Sequence, residues 1–253
     1  MHPQTEKIIA NIREKLKEGK WDAELWSFVT SKDMVKIIEQ LIEVREHGHR
    51  FVPSLADAMT PFALCKPNKV KCVIITSLKS NNVVGTKGNK APMQPTTWVI
   101  EKVLETAGRN FVSAYEWAYK EGVLQISTAM TSTIGGEHHY VIWKPWVAYL
   151  INKVNDLYPD TPVIMVGAGA KQYQGMIRSP HQYIVDTWPI VDAHNCWKEV
   201  NKLLISQGKK EIYWVTQQKY KAKQEKWAVR NETNRLKRLA RIKAERKARG
   251  EED

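Results

Sequence analysis

Two carboxylates and one imidazole lie close together in the sequence as Asp186, Asp192 and His194. Carboxylates and imidazoles are the side chains that most often accept or donate protons in catalysis. These three residues could therefore form an acid–base pair. They are our basis for considering an enzymatic function.

Three other segments contain residue types found in ligand sites but lack the required spacing. Residues 85–90 are rich in glycine and lysine, yet they lack the G-x4-G-K-[ST] spacing of a phosphate-binding loop, which favours a surface loop. Residues 167–170 lack the third glycine of a dinucleotide site, which favours close packing of a strand on a helix. His138 and His139 have no evident third metal ligand. We therefore predict neither a metal nor a cofactor.

The elements that must position these side chains alternate between strand and helix patterns. Short β-branched runs predict strands, and apolar residues at helical spacing predict helices between them. The predicted strands are 70–76, 121–127, 162–167 and 182–186. The predicted helices are 33–44, 98–104, one through 115–119, one through 143–154, and 196–204. The alternation predicts an α/β fold, a three-layer α/β/α sandwich with a central four-stranded parallel sheet.

The net charge of +12 is concentrated near the end of the chain. Residues 217–249 contain thirteen Lys or Arg and three Glu, and residues 251–253 are acidic. The basic segment has neither Pro nor Gly, which predicts a helix about 50 Å long. We expect two parts, an α/β domain over 1–216 and a basic helical tail over 217–253. A solvated helix that only maintains solubility is the alternative to a helix that binds nucleic-acid phosphates.

Composition excludes several classes of protein. Apolar residues make up 43% of the chain, and no stretch approaches the ~20 apolar residues of a membrane span. The first 20 residues lack the apolar centre of a signal peptide. Three cysteines without CxxC spacing favour a reducing compartment. We expect a soluble protein of the cytoplasm, the host cytoplasm if the chain is viral.

Aromatic, glycine and apolar positions recur in an order and spacing that resemble one family, the uracil-DNA glycosylases, over residues 21–214. The matching positions are Phe51-Val52-Pro53, Asp57, Phe62, 70–75, Trp117-Ala118, Gly122-Val123-Leu124, 128–131, Trp143, Trp197, Asn201, Leu204, Gly208, Ile212 and Trp214. The resemblance implies that family's α/β fold.

The same resemblance places the catalytic motifs of the family on residues with different chemistry. The water-activating loop Gly-Gln-Asp-Pro-Tyr-His falls on 76–81, where Leu78 replaces the carboxylate. Ser127 replaces the asparagine that reads the base edge, and Trp188 replaces the histidine that stabilises the leaving base. No phenylalanine occurs in 82–93 to form the wall of the base pocket. The loop that carries the wedge inserted between bases is shortened before His194. We therefore expect that glycosylase activity is lost and that the chain is not an enzyme.

Loops that contact DNA phosphates in the family are partly retained. Thr96 and Thr97 resemble its Pro-Pro-Ser loop, and Glu137-His138 resemble its Ser-His pair, although the glutamate would repel a phosphate. With the tail, the predicted nucleic-acid-binding residues are Thr96, Thr97, His138, Lys219, Lys221, Lys223, Lys226, Arg230, Arg235, Lys237, Arg238, Arg241, Lys243, Arg246, Lys247 and Arg249. Trp188 and Trp227 are candidate stacking residues.

Three functions remain open. The first is a non-catalytic nucleic-acid-binding accessory factor in replication or transcription, with DNA or RNA and a protein such as a polymerase as partners. The second is a protein-interaction adaptor or inhibitor that uses the fold as a platform. The third is a DNA glycosylase with altered base specificity, supported by Asp186, Asp192 and His194. The sequence does not indicate an oligomeric state, and we expect no membrane partner.

Overall fold

The computed structural model describes residues 3–77, 114–134, 138–185, 193–214, 230 and 232–237. The chain divides into two compact units, Met1–Trp214 and Val215–Asp253. Predictions for the helix at 98–104 and for the loops at 78–93 and 186–192 lie outside the described residues.

The helices and strands of the first unit are numbered in chain order. The helices are α1 (Pro3–Glu18), α2 (Asp22–Val29), α3 (Lys32–Glu46), α4 (Thr60–Leu64), α5 (Ala114–Tyr119), α6 (Tyr140–Leu157), α7 (Ala168–Lys171) and α8 (Ala193–Ser206). The strands are β1 (Phe51–Val52), β2 (Cys72–Thr76), β3 (Val123–Ser127), β4 (Ser132–Thr133), β5 (Val163–Val166) and β6 (Gln182–Val185).

Four parallel strands form the central sheet, in the spatial order β3-β2-β5-β6. Strands β2 and β5 occupy its middle, and every residue of both is buried. This is the burial expected of parallel strands covered on both faces by helices, which also explains their unbroken apolar sequence. Helices α4 and α5 contact β3, and α7 contacts β5. The predicted α/β fold with a four-stranded parallel sheet is confirmed, and each strand lies within its predicted range.

Strand β3 begins two residues later than the sequence pattern predicts, because Gly122 adopts a left-handed conformation. Its φ is +72°, and a β-carbon there would lie 1.9 Å from the Lys69 carbonyl oxygen. Only glycine fits this close approach of two backbones. The glycine therefore fixes where β3 enters the sheet beside β2.

Two helices that the sequence analysis did not predict, α1 and α2, precede the predicted helix α3. Ile12 and Leu16 of α1 are fully buried, as is Leu25 of α2. Helix α3 begins where the Ser31 hydroxyl accepts a hydrogen bond from the Met34 amide at 3.3 Å. These helices belong to the same core as the sheet.

In the second unit, the structure describes helix at Arg230 and over 232–237. The side chains of Arg235 and Lys237 are exposed, and Arg235 pairs with Glu232 at 3.4 Å. Leu236 is 57% exposed, so this turn does not bury its apolar residue. Among the described residues, no helix is long and apolar enough to cross a membrane.

Candidate functional site

The carboxyl ends of the four parallel strands meet at one edge of the sheet, where α/β proteins usually bind ligands. Hydrogen bonds join the residues that leave these strands. The Ser77 amide donates to the Val166 carbonyl at 3.0 Å, and the Thr128 amide donates to the Thr76 carbonyl at 2.9 Å. The Gly167 amide donates to the Val185 carbonyl at 3.0 Å. The backbone at this edge is therefore held in place by three strands at once.

Two buried hydroxyl groups lie at this edge without hydrogen-bond partners. Ser77 is 4% exposed and Thr128 is 1% exposed, and among the described residues neither Ser77 Oγ nor Thr128 Oγ1 has a hydrogen-bond partner. A buried polar group without a partner costs about 1–3 kcal/mol. A water or a ligand commonly satisfies such a group in native proteins. These two hydroxyls are therefore candidates for contact with a bound molecule.

Gly169, at the start of α7, brings the chain after β5 against these hydroxyls. A β-carbon on Gly169 would lie 2.9 Å from Ser77 Oγ and 3.8 Å from Thr128 Oγ1. Three segments that are far apart in the sequence thus converge on one small polar volume. The glycine-rich run at 167–170 packs closely here, as the sequence analysis predicts.

The hydroxyl of Ser127, the last residue of β3, is already used by its own chain. Ser127 Oγ donates to the Ala129 carbonyl at 2.8 Å and accepts from the Ala129 amide at 3.3 Å. This local turn uses the only donor of the short side chain. Ser127 therefore cannot provide the paired donor and acceptor that an asparagine amide would offer to a base.

His138 and His139 follow β4 and bind neighbouring hydroxyls. His138 Nδ1 lies 2.5 Å from Ser132 Oγ, and this histidine is half-buried. His139 is buried, with Nδ1 2.8 Å from Thr131 Oγ1 and Nε2 3.0 Å from Thr133 Oγ1. Both rings are thus held by the strand before them. Within the described ranges, no group of three His, Cys, Asp or Glu is arranged to hold a metal.

The three cysteines do not provide a nucleophile. Cys65, Cys72 and Cys196 are free and buried. Burial raises the pKa of Cys65 and of Cys196 to about 12, and it raises the pKa of Cys72 well above its ordinary value. Because the thiolate is the reactive form, these thiols are inert near neutral pH.

The structure locates only part of the predicted site. Ser127 and His138 lie in the first unit, whereas Arg230, Arg235 and Lys237 are exposed in the second. The predicted acid–base residue His194 lies in the first turn of α8, but its side chain is not among those described. The remaining predicted residues lie outside the described ranges: Leu78, Thr96, Thr97, Asp186, Trp188, Asp192, Lys219, Lys221, Lys223, Lys226, Trp227, Arg238, Arg241, Lys243, Arg246, Lys247 and Arg249.

Sequence reasoning did not identify Ser77, Thr128 and Gly169 as functional residues. The available sign was their position, because each stands within three residues of the carboxyl end of a strand. Hydroxyl and glycine residues at such ends are common, however, and only the structure shows that the two hydroxyls are buried and without partners.

No protein-family model and no curated protein matches this sequence. Among solved structures, a mimivirus uracil-DNA glycosylase variant in complex with UGI is similar, with a TM-score of 0.59 and 18% identity over 78% of this chain and 88% of that chain. The mimivirus uracil-DNA glycosylase itself matches with a TM-score of 0.57 and 18% identity over 78% of this chain and 86% of that chain. The chain therefore has the fold of the uracil-DNA glycosylases.

These likenesses contradict the expectation that the chain is not an enzyme, since the similar structures are uracil-DNA glycosylases. That expectation relied on replaced side chains at Leu78, Ser127 and Trp188. Replacement at aligned positions does not remove a site, because chemistry depends on the groups that converge in space. The edge of the sheet still carries the buried hydroxyls of Ser77 and Thr128, which the position-by-position comparison did not consider.

Proposed function

We propose that this protein is a DNA glycosylase whose base specificity differs from that of the uracil enzymes whose fold it has. The single observation that carries this proposal is the pair of buried, unpartnered hydroxyls of Ser77 and Thr128 at the carboxyl edge of the sheet. The free energy lost by burying them is recovered when a ligand supplies hydrogen bonds. A base flipped out of the DNA stack would bring such polar edges to this site.

The chemistry of the two hydroxyls favours a base other than uracil. A hydroxyl group can donate one hydrogen bond and accept others, and it can rotate to suit its partner. An asparagine amide presents a fixed donor beside a fixed acceptor, and Ser127 at that position already donates its only hydroxyl hydrogen to the Ala129 carbonyl. We therefore expect uracil to be a poorer substrate than a base whose edge the hydroxyls of Ser77 and Thr128 can match.

The reaction breaks the bond between the sugar C1′ and the base nitrogen. The oxygen of a water molecule bonds to C1′, the bonding electron pair leaves with the base, and a carboxylate takes one proton from the water. We assign the carboxylate role to Asp186 or Asp192. Asp186 directly follows the last residue of β6 in the sequence, and Asp192 directly precedes α8. His194 would donate a hydrogen bond to the departing base.

DNA binding would be shared by the α/β unit and the basic tail. Thirteen Lys or Arg over 217–249 can neutralise phosphates, and we propose duplex or single-stranded DNA as the partner, with RNA as the alternative. Thr96, Thr97 and His138 would contact phosphates near the flipped base.

We also propose a protein partner. The similar mimivirus structure is a complex with UGI, so a protein can bind this fold. We propose that a replication or transcription protein, such as a polymerase, recruits this glycosylase to DNA. The three free, buried cysteines suit a reducing compartment, and we propose the cytoplasm.

A panel of oligonucleotides tests the proposed activity. Each strand carries one uracil, hypoxanthine, xanthine, oxidised purine or alkylated purine, and alkali cleaves the strand wherever a base has been removed. We expect cleavage at one non-uracil base, and faster cleavage there than at uracil. If Asp186 activates the water, Asp186→Asn should abolish cleavage. If Asp192 activates it, Asp192→Asn should abolish cleavage instead. Cleavage at uracil alone, or at no base in the panel, would overturn the proposal.

A further inference from the structure

A groove of about 470 Å³ lies between α1, α3 and the segment around β1, and it is lined by none of the candidate-site residues. Its floor is apolar and includes Leu41, Ile42 and Leu55, all buried. Ile134, just after β4, extends the apolar surface and is 49% exposed. A groove with an apolar floor and an exposed apolar flank can accept a side chain from another molecule.

The charged side chains that line the groove, among the described residues, are both positive. Arg45 and Arg50 are its two charged lining residues among those described, and no acidic side chain lines it. Arg45 donates a hydrogen bond to the Gln4 side chain. This bond uses one of the five N–H groups of the Arg45 guanidinium. The Arg50 guanidinium makes no hydrogen bond or ion pair within the described ranges, and its residue is exposed. Two guanidinium groups beside an apolar floor are complementary to carboxylates attached to an apolar body.

We propose that this groove docks a short acidic segment of a partner protein, in which an aliphatic or aromatic side chain stands next to carboxylates. The apolar side chain would enter the groove over Leu41 and Leu55. The neighbouring carboxylates would bind Arg45 and Arg50, with Asn11 as a further hydrogen-bonding group on the rim. Helical faces that present an apolar groove with charged rims are a recurring mode of peptide recognition.

Two other ligand classes fit less well. A nucleic-acid backbone would use the two arginines but would leave the apolar floor exposed to water, since phosphates and sugars bring no apolar side chain. A small amphipathic acid would fill the floor, yet Arg50, Ser54 and Asn11 are exposed, so the site would not enclose it as small-molecule sites usually do. An acidic peptide uses both the floor and the rim. Because the groove shares no residue with the Ser77–Thr128 site, this inference is independent of the glycosylase proposal.

Fluorescence anisotropy with a labelled peptide tests the proposal on the full chain. The probe is Asp-Leu-Asp-Leu-Phe-Asp-Leu, with one control peptide in which serine replaces Leu and Phe and a second in which asparagine replaces Asp. We expect saturable binding of the probe and binding weaker by about tenfold or more for each control, since each removes one half of the complementarity. Amide hydrogen exchange should show new protection within 41–55 when the probe is bound.

Three single variants locate the binding site. Arg50→Glu and Ile134→Asp change exposed residues, so the fold should survive, and each should weaken probe binding by about tenfold or more. Lys36→Glu makes the same charge change at an exposed position of α3, nine residues before Arg45, and should leave binding unchanged. Circular dichroism confirms that each variant is folded.

Four results would overturn the proposal. The first is the absence of saturable probe binding, and the second is equal binding of the acidic peptide that lacks apolar residues. The third is displacement of the probe by octanoate as effectively as by unlabelled peptide, which would assign the groove to a small amphipathic acid. The fourth is displacement of the probe by duplex DNA together with probe binding that Ile134→Asp leaves unchanged. This result would assign Arg45 and Arg50 to nucleic-acid binding.

Discussion

Gly169 and Ser77 approach so closely that a β-carbon on the glycine would stand 2.6 Å from the Ser77 β-carbon. Real β-carbons do not approach at this distance, so a larger residue at 169 would displace the chain after β2 or the start of α7. The glycine thereby sets the distance between Ser77, Thr128 and the turn after β5. The position of the buried hydroxyls depends on this contact.

Gly169→Ala should therefore destabilise the protein by about 1–3 kcal/mol, the usual cost of forcing an extra methyl group into a packed site. It should also lower any base-excision rate, because Ser77 must move. Gly175→Ala is the matched control, since a β-carbon there would meet nothing within 4 Å. Chemical denaturation of both variants measures the difference. A Gly169→Ala variant as stable as Gly175→Ala would contradict the close contact.

Ser77→Ala should leave the free energy of unfolding unchanged or raise it by up to about 1–3 kcal/mol, because it removes a buried hydroxyl that has no partner. Ser179 is a matched control: it is 3% exposed, and its hydroxyl donates to the Thr161 carbonyl at 2.7 Å. Ser179→Ala should destabilise the protein by about 1–3 kcal/mol, because the Thr161 carbonyl loses its partner. If both variants lose the same free energy of unfolding, the Ser77 hydroxyl already has a hydrogen-bond partner in the free protein.

The buried thiols predict how the protein responds to reagents and to pH. None of Cys65, Cys72 and Cys196 should react with a thiol reagent at pH 8 until denaturant is added. Burial holds each folded pKa above the unfolded value near 9, so the folded state keeps protons that the unfolded state loses. Stability should therefore be retained below pH 9 and should fall as pH rises from 9 towards 12. A triple Cys→Ser variant with the same alkaline decline would show that other groups cause it.

The basic tail predicts a steep salt dependence of DNA affinity. If four to six phosphates are neutralised, log K should fall with log salt with a slope of roughly −4 to −5. Replacing Arg235, Lys237, Arg238 and Arg241 with glutamine should reduce that slope by about two to four units.

A control variant removes four exposed lysines of the first unit instead, Lys36, Lys66, Lys144 and Lys198. Its slope should change much less. Equal slopes for the two variants would show that the tail has no special role in DNA binding.

The sheet could be predicted from the sequence because its strands are short, β-branched and buried on both faces, as in 72–76. Helix α1 also had a readable pattern, with Ile8, Ile12 and Leu16 on one face, but it precedes the region of family resemblance. The paired hydroxyls could not be predicted. Ser77 and Thr128 are distant in sequence, and they lie at neighbouring strand ends because the register places Thr76 beside Ser127.

The replacement of single residues at catalytic positions of the family does not by itself decide function. The alignment of Leu78 with a carboxylate position describes one residue, whereas catalysis depends on which groups converge. Two contacts build the edge of the sheet: the backbone hydrogen bond from Thr128 to Thr76 and the close approach of Gly169 to Ser77. Neither contact corresponds to a motif that can be read from the sequence.

The most direct test of the central claim is to incubate genomic DNA with the full chain and identify the free bases released by mass spectrometry. We expect release of a base other than uracil above the level in a sample without protein. Release should fall by about a hundredfold in the double variant Ser77→Ala and Thr128→Val, since each of the two lost hydrogen bonds is worth about one power of ten in rate. Ser179→Ala, tested below its melting temperature, should retain the activity. If no free base exceeds the control without protein, or if the double variant releases the same base at the same rate, the protein is not a glycosylase that acts through Ser77 and Thr128.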